Sequence, residues 1–507
     1  MNMYALFFIA LIPIVWLIVS LGVLKMPAHK TCSATLVLTI ILAIMVWKMP
    51  VFHAVSAALE GVALALWPIM IVIIAAVFTY NLSLHTKSMD IIKKMLSNIT
   101  TDKRILVLII AWGFGGFLEA VAGYGTAVAI PASILAAMGF EPLFAAIICL
   151  IANTVPTAFG AIGIPISTMA KLTGLDVNVL SYYAGLQLFP FIILITFILV
   201  VLTTRSVKGI KGVFGVTLVS GVAFAVPELL SAKYMGAELP SLIGSVCSMA
   251  ATIIVTKIFY KNTAGKSEGT VSSSQAFKAW LPYILIFIFM IFSSKLFPNI
   301  NHALSTIKTS VKIYTGQGAE AYVFKWIATP GTLIIIAAFI GGMVQGAKFS
   351  EIVNILFKTI NQMTKSAITV ISIVALAKVM GYSGMINSIA TVLAIITGSF
   401  YPFIAPIIGA LGTFVTGSDT SSNVLFGKLQ VDVANSIGVN ATWLAAGSAT
   451  GATAGKMISP QSIAVATAAT GLAGAEGKIL NKTIKFCIGY VVLLGVVVYI
   501  GSLIIKM

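Results

Sequence analysis

Two apolar stretches of this 507-residue chain are broken by glycines and carry polar side chains where hydrocarbon is expected. The first reads Gly116-Phe-Leu-Glu119-Ala-Val-Ala-Gly123-Tyr124-Gly125-Thr126, and the second Gly412-Thr-Phe-Val-Thr-Gly417-Ser418-Asp419-Thr420-Ser421-Ser422-Asn423. Glu119 lies about fifteen residues into an apolar run that opens at Ile105, near the centre of a bilayer crossing. A charge at that depth costs about 2.5–3.5 kcal/mol on insertion scales, so an intramembrane acid is a functional candidate by default. A low-dielectric medium disfavours the charged form of a carboxyl, which suits Glu119 to taking up and releasing a proton. The alternative is a protonated glutamate bonded to a backbone carbonyl freed by the glycines. Asp419 is the second proton-coupling candidate, unless it is a plain helix cap near the surface.

The glycines permit positive φ, and Thr126 is placed to cap the half-helix after Gly125. Unsatisfied N–H groups at such an N-terminus attract anions, so Gly123, Tyr124, Gly125 and Thr126 are expected to contact an anionic solute. In the second break Gly417, Ser418, Thr420, Ser421, Ser422 and Asn423 form the densest polar cluster in any apolar stretch, suited to a solute hydroxyl. Gly123-Tyr-Gly also invites comparison with a potassium filter. A filter needs several converging copies, and the second stretch lacks the element.

A second pair of interruptions holds Asn153 and Thr154 before Pro156, and Lys456, Ser459 and Gln461 around Pro460. Irregular backbone at membrane depth is tolerated only inside protein or beside a cavity. Lys456 is a natural counter-charge for a carboxylate solute or for Glu119 or Asp419. Lys378 is a second candidate, although snorkelling to the interface explains it equally well. Glu60 and the four histidines are expected in interfaces or loops.

The two halves match. A shift of 294 superposes Val121 on Val415, Gly123 on Gly417 and Thr126 on Thr420, and a shift of 295 superposes Gly160 on Gly455 and Pro165 on Pro460. Paired interruptions in two halves of a membrane protein point to a transporter's binding site.

The elements that must position these residues are membrane helices. The chain is 59% apolar and only 9% charged, with a mean hydropathy of +1.07; soluble domains carry roughly 25% charged residues. An all-α polytopic membrane protein follows, with about 12–14 transmembrane segments of the length a bilayer requires and with broken helices or re-entrant hairpins. The most polar stretch, 260–279, reads as a flexible cytoplasmic linker between a first transmembrane half, 1–259, and a second, 280–507.

The net charge of +17 is read as a loop bias rather than a nucleic-acid surface, since short cytoplasmic loops collect Lys and Arg. Six clusters hold 20 of the 31 basic residues, and placing them all inside puts the N-terminus outside. The loop at 295–325 resists, with four lysines on the outer side. In the first half the cluster at 205–211 follows the last helix of the repeat, whereas in the second the cluster at 478–485 precedes the corresponding last helix. Opposite polarity of matching elements implies an inverted repeat; a parallel repeat would leave one cluster outside. Residues 85–103 read as an amphipathic surface helix, mapped by the shift onto 383–400, which is either a second surface helix or a crossing. The absence of a basic residue before the first apolar run argues against a cleavable signal peptide. Cys32, Cys149, Cys247 and Cys487 are scattered in apolar runs and imply neither disulfide nor metal. No hydrolytic triad, zinc motif or Walker loop is present, so an enzyme or ATP-driven pump is not expected.

The run Trp112-Gly-Phe-Gly-Gly-Phe-Leu-Glu-Ala-Val-Ala-Gly-Tyr-Gly-Thr-Ala-Val-Ala-Ile-Pro131, with Ala152-Asn-Thr-Val-Pro-Thr-Ala-Phe-Gly-Ala-Ile-Gly-Ile-Pro165 and Thr416-Gly-Ser-Asp-Thr-Ser-Ser-Asn-Val-Leu-Phe-Gly427, resembles the bacterial L-lactate permease family over nearly the whole chain. The resemblance implies a secondary transporter in the bacterial cell membrane that imports lactate, and often glycolate, by proton symport. It also implies kinship with anion carriers built from inverted repeats and paired hairpins. It assigns no residue roles; those above come from residue chemistry. The expected partners are a small carboxylate and the lipid bilayer, with no nucleic acid and no cofactor beyond a coupling proton. The sequence carries no signal for oligomeric state. A sodium-coupled carrier of another small organic anion, or an anion channel, is the alternative.

Overall fold

The computed structural model describes residues 2–20, 24, 26–97, 99–123, 125–260, 271–293, 297–316, 319, 321–472 and 475–505. The chain opens with α1 (Met3–Ile18), α2 (Ala28–Met45), α3 (Val51–Leu64), α4 (Ile71–His85) and α5 (Ser88–Ser97). Next come α6 (Lys103–Val107), α7 (Gly115–Val121), α8 (Thr126–Ala137), α9 (Pro142–Ala152), α10 (Gly160–Thr173) and α11 (Val177–Thr204). α12 (Phe214–Tyr234) and α13 (Pro240–Phe259) follow, up to the polar segment.

The second half holds α14 (Ser273–Ser293), α15 (Pro298–Ser305), strands β1 (Lys308–Val311) and β2 (Tyr322–Lys325), α16 (Pro330–Val344) and α17 (Phe349–Ser383). It ends with α18 (Met385–Thr397), α19 (Tyr401–Thr416), α20 (Asp419–Ile437), α21 (Ala441–Lys456), α22 (Pro460–Thr470) and α23 (Glu476–Ile504). Among the described residues nine helices are long and apolar enough to cross a membrane, and ten if the pair 142–152 and 156–173, bent by 59°, is one span. Shorter apolar helices, including Met3–Leu17 and Pro330–Val344, account for the higher figure read from the sequence.

Each glycine break has become a hairpin tip. Residues 103–121 form a continuous arm that is 94% buried, sheathed by protein rather than lipid, and α8 returns beside it. The backbone turns through Gly123 (φ +59°) and Gly125 (φ +83°), where a side chain would be strained. In the second hairpin α19 ends at Gly417 (φ +72°) and α20 returns. The Ser422 hydroxyl donates to the Gly409 carbonyl at 2.8 Å and pins the two arms together. The broken helices lie next in sequence. Between α9 and α10 the chain passes through a 3-10 turn at Pro156–Phe159 and then three residues with positive φ, Ala161, Ile162 and Gly163. Between α21 and α22 it breaks at 457–459, before Pro460.

The helices pair across the halves in reciprocal fashion. α2 packs on α17 and α16 on α4; α1 packs on α18 and α14 on α5; α8 packs on α22 and α20 on α10. The 294–295 shift carries α4 onto α17, α5 onto α18, α8 onto α20 and α10 onto α22. α5 carries Met89 and Ile92 inward and Asp90 and Lys94 outward, as an interfacial helix should.

α14 begins at Ser273, inside the segment read as the linker 260–279, because the Ser272 hydroxyl accepts the Gln275 N–H and the Gln275 side chain accepts the Ser272 N–H. This capping box outweighs the Ser-rich composition; residues 261–270 lie outside those described. The helix through Lys378 runs from Phe349 to Ser383, its lysine-bearing first turns continuing beyond the apolar run.

Lys378 does not snorkel. Its Nζ pairs with Glu60 at 2.7 Å, joining α17 to α3, with side chains 18% and 6% exposed, and the Tyr382 hydroxyl donates to the same carboxylate oxygen. Breaking a buried pair by removing one partner leaves the other charge uncompensated. Lys378→Met is expected to destabilise the fold by about 2 kcal/mol, read as a lower apparent melting temperature in detergent, with Glu60→Gln/Lys378→Met recovering most of it.

Candidate functional site

The hairpin tips and the two helix breaks converge on one cavity of about 70 Å³, large enough for a solute of a few heavy atoms. Its wall takes Glu119, Gly123 and Gly125 from the first hairpin, and Gly417, Ser418, Asp419 and Thr420 from the second. Thr157, Gly160, Ala161, Ile164 and Pro165 come from one broken helix, and Lys456, Gln461, Ser462 and Val465 from the other. Ile73 of α4 completes it.

The charged centre is a triad. Glu119 and Asp419 are 3% and 2% exposed, and both lie within electrostatic reach of Lys456, the last residue of α21. Lys456 Nζ also donates to the Gly417 carbonyl at 3.3 Å, so it bridges the second hairpin tip and the second helix break. Glu119 Oε2 and both Asp419 carboxylate oxygens are enclosed without a hydrogen-bond partner. Asn153 stands beside Glu119, but both its amide atoms are also unpartnered, so the two approach without an aligned bond. Buried polar atoms are normally satisfied; a cluster of orphans around one cavity marks a place where something else binds or moves.

The sequence-derived candidates divide. Glu119, Gly123, Gly125, Gly417, Ser418, Asp419, Thr420, Lys456 and Gln461 line the cavity; Tyr124 lies outside the described residues. Thr126 borders the tip but does not cap α8. Its hydroxyl donates to the Gly123 carbonyl at 2.7 Å, and the cap position is Gly125, which has no side chain to offer. Nor is Asp419 a cap: Ser418 holds that position and accepts the Ser421 N–H.

Ser422 and Asn423 face the scaffold, the latter donating to the Pro165 carbonyl of α10 at 3.1 Å. Ser421 and Thr154 are buried away from the cavity, and Ser459 caps α22 through the Ser462 N–H. Of the polar cluster in the second break, Ser418 and Thr420 therefore reach the cavity, while Ser421, Ser422 and Asn423 are turned to packing. Thr157, Gly160 and Ser462 are wall residues that residue chemistry did not single out. The shift that pairs Pro165 with Pro460 also pairs Ser167 with Ser462, the one signal that pointed to it.

Gly160 gives a direct handle on the carboxyl. Its φ of −64° suits any residue, but a Cβ there would stand 2.6 Å from Glu119 Oε1. Gly160→Ala is expected to push the carboxyl across the cavity, cutting uptake about tenfold or more for a displacement of under 1 Å, while the detergent melting temperature stays near wild type. Normal uptake by this variant would show that the carboxyl position is not critical.

Residues 6–505 match the family model described as L-lactate permease. An L-lactate permease of Streptococcus iniae is 54% identical over 442 residues, covering 86% of this chain and 93% of the relative. The glycolate permease GlcA of Escherichia coli K12 is 37% identical, covering 98% and 96%. Among solved structures, the Alcanivorax borkumensis YdaH transporter aligns with a TM-score of 0.45 at 12% identity, over 85% of this chain and 84% of that one. The match over essentially the full length makes this chain a member of the L-lactate permease family.

Proposed function

We propose that the chain imports L-lactate and similar 2-hydroxymonocarboxylates, glycolate among them, across the bacterial cell membrane by proton symport. The observation that carries this reading is the sharing of one cation, Lys456, by two enclosed carboxyls, Glu119 and Asp419, in the cavity between the breaks. With both acids ionised the triad is already one charge negative, and an entering carboxylate would make it two. Like charges about 4 Å apart at an effective dielectric of 20 repel by about 4 kcal/mol, which rivals the binding energy of a small anion. Taking up a proton on one acid removes that repulsion and frees Lys456 for the substrate carboxylate. Anion and proton then favour each other's binding reciprocally.

Thr420 and Gln461 stand ready for the 2-hydroxyl, Glu119 carries the proton, and Asp419 keeps Lys456 charged when the site is empty. Hairpin tips and helix breaks meeting at mid-membrane suit alternating access by rocking of one bundle against the other. The freed carbonyls favour proton over sodium coupling: Gly123 already accepts from the Thr126 N–H and hydroxyl, Gly417 from Lys456, and Pro165 from Asn423. No cofactor enters this scheme.

The test is uptake of labelled L-lactate into proteoliposomes with an acidic exterior. Saturable accumulation that collapses with a protonophore and is indifferent to replacing sodium by choline is the expected result. Sodium-dependent accumulation insensitive to the pH gradient would overturn the coupling; flux without saturable counterflow would indicate a channel.

A further inference from the structure

A larger cavity, about 620 Å³, opens on the side of the loops at 174–178, 235–239 and 293–330. The distribution of basic clusters assigns that side to the exterior. The cavity is separate from the central one but leads to it: a third space of about 390 Å³ shares Lys171 and Glu238 with it and shares Ile164 with the central cavity.

Its charges are unevenly satisfied. Glu60 is held by Lys378 and Tyr382. Asp176, which lines the third space, accepts the N–H groups of Asn178 and Val179. Lys171, in the last turn of α10, is drawn to Glu238 but also feels the like charge of Lys325, at the end of β2. Among the described residues neither lysine is within ion-pair distance of a carboxylate. Two cations from separate elements facing one space repel each other, and a small anion between them turns that repulsion into attraction twice over. Lys325 is not free to swing away at its backbone: Trp67 Nε1 donates to its carbonyl at 3.0 Å, and the Trp67 ring packs on Trp326 at 4.9 Å.

We infer that this vestibule contains a second, weaker site for a small monocarboxylate, bridged between Lys171 and Lys325, which captures substrate before it passes Ile164 to the central cavity. The inference rests on the anion-transport reading but concerns different residues. A lined, positively charged mouth raises the local anion concentration and the on-rate, and salt screens the effect.

The experiment compares wild type with Lys171→Gln/Lys325→Gln in proteoliposomes, using labelled L-lactate. At about 10 mM salt, where screening acts over about 30 Å, the KM of the double variant should rise about threefold or more with Vmax within about twofold. At about 150 mM salt the gap should narrow, and Lys171→Arg/Lys325→Arg should restore the wild-type KM. Equal KM values at both salt concentrations would overturn the inference. A salt-independent wild-type KM would do so as well, without relying on any variant.

Direct binding is read from tryptophan fluorescence, since Trp67 lines the vestibule. A Lys456→Met protein, impaired centrally, should keep a weak lactate-dependent quench that Lys171→Gln/Lys325→Gln removes; no quench in the Lys456→Met protein counts against the site. Wild type that quenches with lactate but fails to transport it would refute the transport reading and leave the vestibule site standing.

Discussion

Glu119→Gln loses accumulation driven by a pH gradient and keeps exchange. Glutamine preserves the shape of a side chain enclosed at 3% exposure but cannot carry a proton between the two sides. With one proton per anion, a gradient of one pH unit supports about tenfold accumulation of lactate, because about 1.4 kcal/mol corresponds to a factor of ten. In the variant that ratio should fall to about one, while labelled lactate inside and outside still exchanges, since exchange moves no net proton. The measurement is a pair of assays on the same proteoliposomes, gradient-driven uptake and counterflow. Gradient-driven uptake at the wild-type level would remove Glu119 from the scheme. If Asp419→Asn shows the loss instead, the proton belongs on Asp419, the other acid that shares Lys456.

Lys456→Met should be the more severe lesion, because in the proposed scheme both uptake and exchange use the cation. Removing it strips Glu119 and Asp419 of the positive charge that both feel and leaves the substrate carboxylate without a counter-charge. It also deletes the bond to the Gly417 carbonyl, which ties the hairpin tip to the helix break. Truncating one member of a desolvated charge cluster costs about 2–5 kcal/mol, so transport at subsaturating lactate should fall by about 100-fold. Lys456→Arg keeps the charge on a longer, planar head and is expected to recover part of the rate with a raised KM. Wild-type counterflow in the methionine variant would show that the anion is held elsewhere in the cavity.

Much of this architecture was legible because it is written locally. Gly123, Gly125 and Gly417 mark the positive-φ turns at the hairpin tips, and Met89 and Ile92 among charged neighbours mark the surface helix. Glu119, Asp419 and Lys456 stand out because charge is rare in apolar runs, and the half-to-half shift ties their segments together. What stayed hidden depends on partners distant in sequence. Glu60 and Lys378 are 318 residues apart, and nothing in either neighbourhood announces the other. Asn423 looked like a ligand for solute, but its amide is spent on the Pro165 carbonyl, 258 residues away. Gly160 shows in the sequence only as a match to Gly455, and that it leaves room for the Glu119 carboxyl emerges from the packing. Glu228 of α12, fully buried beside Ser241 and with one oxygen unpartnered, escaped notice inside an otherwise ordinary crossing.

The reciprocal pairing of helices also dictates how such a chain must be made. α2 waits for α17, α4 for α16 and α8 for α22, each separated from its partner by hundreds of residues of polypeptide not yet synthesised. At about 5–20 residues per second, the roughly 300 residues between α2 and α17 take about 15–60 s to emerge. For that interval the first half lies in the bilayer with the faces of its central helices unmatched, and the glycine-broken tip near Glu119 has no second tip to meet. Such a molecule cannot be assembled one half at a time, and its biogenesis depends on lipid or insertion machinery keeping those faces apart until the partners arrive.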